Sequence, residues 1–123
     1  MAKKILLIED DEMIAEIYSL KFTNAGHKVT QANSGLSGYK LAIKSKPDII
    51  MLDIILPEMD GFSVLKKLKS NKITKDIPVF FLTNLKQEED IIRGKKEGAI
   101  DYLVKADLTP TQVLEKINKF FKK

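Results

Sequence analysis

The chain has no cysteine, which excludes disulfides and thiolate metal sites and agrees with a reducing compartment. Long apolar runs are also missing. The longest stretches, such as Ile77 to Leu82, fall far short of the roughly 20 residues that a spanning helix needs. Met1-Ala2-Lys3-Lys4 leads through a short apolar run straight into acids, which is not the pattern of a secretory leader. There is no glycine-rich nucleotide fingerprint, internal repeat or low-complexity segment. The expectation is a cytoplasmic protein with no membrane contact. Its 123 residues suit a single domain, 1–123, which at this size buries about two-thirds of its unfolded surface.

What charge imbalance exists is mild: 21 basic residues against 17 acidic, a net +4. The lysines, among them Lys66, Lys67, Lys69, Lys95, Lys96, Lys116 and Lys119, are scattered over the outer faces of predicted helices. Few aromatics stand among them to stack on bases. A solvated helix surface is therefore expected, with no nucleic acid bound by this domain alone.

Short apolar runs alternate with longer amphipathic stretches. Strands are predicted over Lys4–Ile8, His27–Ala32, Asp48–Leu52, Pro78–Leu82 and Ile100–Val104. The first shows no polar alternation, as expected when both faces are covered; the second is more polar and suits an edge. Helices are predicted over Asp11–Asn24, Gly35–Lys44, Phe62–Ser70 and Gln87–Glu97, with a last one from Pro110. In the first, Met13, Ile14, Ile17, Leu20 and Phe22 recur at helical spacing. The last has the clearest start: Thr109 as N-cap, Pro110 at the first position and Gln112 closing a capping box. Val113, Leu114, Ile117, Phe120 and Phe121 would form its buried stripe.

Five strand–helix units predict an α/β, flavodoxin-like three-layer sandwich, with a parallel sheet of order 2-1-3-4-5. Its functional crevice lies outside the carboxyl ends of strands 1 and 3. Those strand ends carry Glu9-Asp10-Asp11 and Asp53, while strand 4 ends in Thr83-Asn84 and strand 5 in Lys105. Converging carboxylates repel one another and raise each other's pKa unless a positive charge intervenes. A hard divalent cation with oxygen ligands, Mg²⁺, suits such a set and points toward phosphoryl chemistry. A flanking lysine and a hydroxyl would complete a phosphate cradle. Each residue also has a plainer role: Asp11 as a helix cap, Thr83 as filler, Lys105 as a surface lysine. Their joint placement at successive strand ends favours the site. His27, on a strand away from the crevice, is expected to be a surface residue.

On the segments LLIEDDEMI, MLDIILPEMDG, FLTN and DYLVK, the chain resembles the response-regulator receiver family over its whole length. The loop of Asp53 with Pro57, Met59, Asp60 and Gly61 is the most specific part. The resemblance implies that Asp53 is phosphorylated, by transfer from a phosphohistidine on a histidine kinase or phosphotransfer protein. It implies Mg²⁺ held by Asp10 directly, by Glu9 through water, by Asp53 and by the carbonyl of Ile55. Thr83 would move to bond the phosphoryl group, Lys105 would pair with it, and Tyr102 matches an aromatic switch position. Such a domain is no enzyme in the ordinary sense, although it assists its own phosphorylation and dephosphorylation.

An unknown downstream protein would be met on the face of helix 4, strand 5 and helix 5, with Ile91, Ile92, Tyr102 and the basic residues of the last helix. A monomer or a weak phosphorylation-dependent dimer is expected. Whether the domain stands alone or belongs to a larger regulator is left open, as is a pseudo-receiver working only as an interaction module. A haloacid-dehalogenase-type phosphotransferase would need an aspartate where Ile55 stands. Three departures from the family pattern are visible. Ala106 replaces the proline usual after the lysine, so a trans bond is expected there. Asn84 replaces a small residue and would crowd access to the phosphate. Apolar Ile55 and Leu85 would flank the phosphoryl group and lengthen its lifetime.

Overall fold

The computed structural model describes residues 2–122. Five strands, β1 (Lys4–Ile8), β2 (Lys28–Ala32), β3 (Ile49–Leu52), β4 (Val79–Thr83) and β5 (Asp101–Val104), alternate with five helices. These are α1 (Glu12–Asn24), α2 (Gly35–Ser45), α3 (Gly61–Ser70), α4 (Glu88–Lys96) and α5 (Pro110–Phe121). All strand pairs are parallel, and the sheet order is β2-β1-β3-β4-β5, as expected from the sequence. β2 is the polar edge strand.

Side chains alternate across a strand, so each central strand feeds two cores. Leu6, Ile8, Ile50, Leu52 and Phe81 pack with Ala42 of α2 and with Phe62, Val64, Leu65 and Leu68 of α3. Ile5, Leu7, Ile49, Met51, Phe80 and Leu82 pack with α1 and α5 on the opposite face. Two covered faces explain why β1, β3 and β4 read as unbroken apolar runs.

The structure corrects three expectations. On α1 the buried residues are Ala15, Tyr18 and Phe22, whereas Met13, Ile17 and Leu20 are 74%, 48% and 53% exposed. At about 100° per residue these two sets lie on opposite sides of the helix. Sequence periodicity alone could not choose between them; the side bearing two aromatic rings faces the sheet. In α5, Val113 and Ile117 are fully buried, but Phe120 is half-exposed and meets Phe80 edge-on. His27 is buried. Its Nδ1 accepts the Lys3 N–H at 3.1 Å, and its Nε2 lies 2.9 Å from Asn118 Oδ1. It thus ties the entry to β1 to α5, through partners too far along the chain for local pattern to reveal.

Caps follow the sequence signals. Asp11 accepts from the N–H groups of Met13 and Ile14 at 3.0 and 3.1 Å, which settles it as the cap of α1. The Thr109–Gln112 capping box starts α5. Lys105–Asp107 form a single 3-10 turn between β5 and α5, and no described peptide bond is cis.

Candidate functional site

β1 and β3 lie side by side in register, Ile8 opposite Leu52, so the residues that follow them emerge together. Glu9 and Asp53 are buried, while Asp10 faces solvent. One carboxylate oxygen from each of the three lies within 4.8 Å of the others. The charge this concentrates is met from β5. Lys105 Nζ donates to Asp53 Oδ2 at 2.8 Å and also to Glu9 Oε1. The second Glu9 oxygen accepts the Asp11 N–H at 3.0 Å, and Asp53 Oδ1 accepts that of Ile54 at 2.6 Å.

Burial pushes the Glu9 carboxyl above its ordinary pKa, outweighing the hydrogen bonds from Lys105 and from the Asp11 N–H. Burial opposes charge on Lys105 too. Its hydrogen bonds to Asp53 and Glu9 prevail, however, and hold its pKa above the usual value. The lysine is therefore a protonated internal counter-ion, whose single ammonium serves two carboxylates.

The loop after β3 is built for this placement. Asp60 caps α3 by accepting from Ser63 N–H at 3.1 Å, and Gly61 N–H donates to Ile54 O at 2.8 Å. A side chain on Gly61 would run into the Asp53 carbonyl and the Ile54 Cα. Glycine there lets α3 start directly beneath Asp53, which gives the Asp60-Gly61 pair of the loop motif its physical reason. Ahead of it, Glu58 takes a left-handed conformation, φ 70°, inside a turn closed by Met59 N–H on Pro57 O.

Of the other predicted residues, Thr83 is buried at the end of β4, and its hydroxyl accepts the Leu85 N–H at 3.3 Å. The Tyr102 ring packs against Phe81, 5.6 Å between centroids, and its hydroxyl donates to the Leu85 carbonyl. Burial pushes its phenol up to about 12. Ile55 is 65% exposed, and Leu85 is half-buried against the core. The Asn84 side chain is engaged rather than free: its Oδ1 accepts the Ala106 N–H at 2.9 Å. Sequence reasoning missed that contact. The available signal was that alanine, unlike proline, brings an N–H that needs an acceptor.

The receiver-domain model of response regulators matches residues 5–118, and the chain belongs to that family of signalling domains. It is 46% identical over 102 residues to the DNA-binding dual master transcriptional regulator RpaA of Synechocystis, covering 83% of this chain and 42% of RpaA. With protein PilH of Pseudomonas aeruginosa it shares 38% identity over 104 residues, 83% of this chain and 84% of PilH. The BeF3-activated receiver domain of Klebsiella pneumoniae RstA superimposes with a TM-score of 0.89 at 25% identity, over 98% of this chain and 99% of that one. The chain thus spans less than half the length of RpaA and most of PilH. Among the described residues no helix is long and apolar enough to cross a membrane.

Proposed function

We propose that the chain receives a phosphoryl group on Asp53 from a phosphohistidine of a histidine kinase or phosphotransfer protein. The observation that carries this reading is the buried Asp53 carboxylate, paired with Lys105 and ringed by Glu9 and Asp10 oxygens within 4.8 Å. A carboxylate oxygen of Asp53 attacks phosphorus, the P–N bond breaks, and its electron pair returns to the donor imidazole. Lys105 neutralises charge on the incoming group, and the Thr83 hydroxyl leaves the Leu85 N–H to donate to it.

The donor set, oxygen atoms only, fits a hard divalent cation. Glu9, Asp10 and Asp53, with the Ile55 carbonyl, would hold Mg²⁺. When bound, Mg²⁺ offsets negative charge on the transferring group. The Lys105 ammonium already balances part of the acidic charge, so the site can fold without the metal.

Phosphorylation adds about −1.5 to −2 charge and new acceptor oxygens. Drawing the Thr83 hydroxyl toward those oxygens would pull on its contact with the Leu85 N–H, so the modification favours a rearranged β4–α4 loop. Tyr102, bonded to Leu85, follows that loop. The change is then read by a downstream protein on the face formed by α4, β5 and α5, where Ile92 is 57% exposed.

The test is incubation with acetyl phosphate and Mg²⁺, followed by intact mass and peptide mapping. Wild type should gain one phosphoryl group on Asp53; Asp53→Ala and chelated samples should gain none. An unlabelled wild type would leave a phosphorylation-independent interaction module as the reading.

A further inference from the structure

Thr83, Asn84 and Leu85 are consecutive, and each engages β5 or the turn that follows it. Thr83 lies opposite Val104 in the sheet. The Leu85 carbonyl accepts from the Tyr102 hydroxyl, and Asn84 Oδ1 accepts the Ala106 N–H at 2.9 Å across 22 residues of sequence. Lys105 therefore sits between two restraints, Val104 before it and Ala106 after it, both made to the segment that carries Thr83. N–H groups at the start of a helical turn have no partner inside that turn, and that of Ala106, second in the Lys105–Asp107 turn, is one of them. A proline at this position would have no N–H to donate and would restrain the turn through its ring.

We propose that Asn84 is the positioning residue for Lys105. Its amide oxygen holds the Ala106 N–H, stands in for a ring restraint at that position, and couples the lysine's backbone to the loop bearing Thr83. The proposal rests on the phosphoacceptor reading and deepens it. Asn84 does not touch the reacting atoms; it acts through the aim of the Lys105 ammonium at Asp53. Its side chain is exposed, and the bond to the Ala106 N–H is what engages it. Because the bond is exposed, its loss should change rates by roughly 2- to 10-fold, the range one ordinary hydrogen bond can support.

The experiment compares Asn84→Leu, of similar size without an acceptor, with Asn84→Asp, which keeps one. Ala106 amide exchange and the ¹⁵N shift of the Lys105 ammonium are measured by NMR, alongside labelling by acetyl phosphate with Mg²⁺. Asn84→Leu should deprotect Ala106, shift the lysine signal and slow labelling roughly 2- to 10-fold, while Asn84→Asp keeps Ala106 protected. In a Lys105→Met background, Asn84→Leu should add no further loss, since the group it positions is gone. If that background labels too slowly to follow, Ala106→Pro replaces it, because the donor is then absent. Wild-type labelling speed in Asn84→Leu, an unprotected Ala106 amide in wild type, or an equal loss in the cycle background would each overturn the proposal. Absence of labelling in wild type itself would instead strike the phosphoacceptor reading; the exchange and ammonium signals would still decide whether Asn84 places Lys105.

Discussion

Replacing Lys105 by methionine isolates the electrostatics of the site. The side chains of Lys105, Glu9 and Asp53 are 9%, 3% and 8% exposed, so the ion pairs are largely shielded from water. Removing one partner of a buried pair typically costs about 3–5 kcal/mol, because the remaining charge is left without compensation. Here two carboxylates lose one shared ammonium. The cost should nevertheless stay near the lower bound, about 3 kcal/mol, since the site opens to solvent at Asp10. That is a large part of a total stability of about 5–15 kcal/mol.

The pH dependence has a definite sign. Glu9 already has a raised pKa in the folded state, so the folded protein holds its proton more tightly than the unfolded chain does. Without Lys105 this preference grows, and the penalty appears as pH rises through the folded value. Below the carboxylate range Glu9 is neutral and the penalty fades. The stabilisation from Lys105 in wild type has the opposite limit. Its pKa is raised above 10.5, so at the alkaline end its contribution is lost only as pH rises through that raised value, while at the acid end it fades as Glu9 takes up its proton.

Urea unfolding in EDTA at pH 8 and pH 5, for wild type and Lys105→Met, reads both effects. The loss should be about 3 kcal/mol at pH 8 and clearly smaller at pH 5. A divalent cation at about 100 times its dissociation constant should restore up to about 2.7 kcal/mol. A loss below about 1 kcal/mol at pH 8, the scale of an exposed pair, or equal losses at both pH values, would refute the shared counter-ion.

Gly61→Ala should destabilise by about 1–3 kcal/mol through overpacking, although alanine is the better helix former; an unchanged urea midpoint would show that the loop tolerates the added methyl. The Tyr102 phenol should titrate near 12 in the ultraviolet difference between wild type and Tyr102→Phe. Because that pKa is raised, the stability it reports is intact below about 10, the ordinary tyrosine value, and falls as pH rises through about 12. A midpoint near 10 would place the ring in water. Ile55→Asn should shorten the life of the phosphorylated form several-fold by admitting the attacking water. Decay followed by mass spectrometry at an unchanged rate would remove Ile55 from that role.

Local chemistry made much of this molecule legible in advance. The unbroken apolar run at β1 announced a strand covered on both faces, and Thr109-Pro110 with Gln112 announced the start of α5. Alternating units left few topologies, which placed the acids of β1 beside Asp53. Those readings succeed because period, capping and handedness are local properties of the chain.

Helix α1 shows where local pattern stops. It bears two apolar sides, and only packing against β1 and α5 selects Tyr18 and Phe22 over Met13, Ile17 and Leu20. His27 is a similar case, buried by partners at Lys3 and Asn118. From the sequence alone came the kinds of residue at each strand end and the family of the chain. The tertiary structure alone decided that one lysine serves Glu9 and Asp53 together, and that Asn84 meets Ala106. Both depend on contacts between residues far apart in the chain, and sheet register sets such contacts where no local periodicity can encode them.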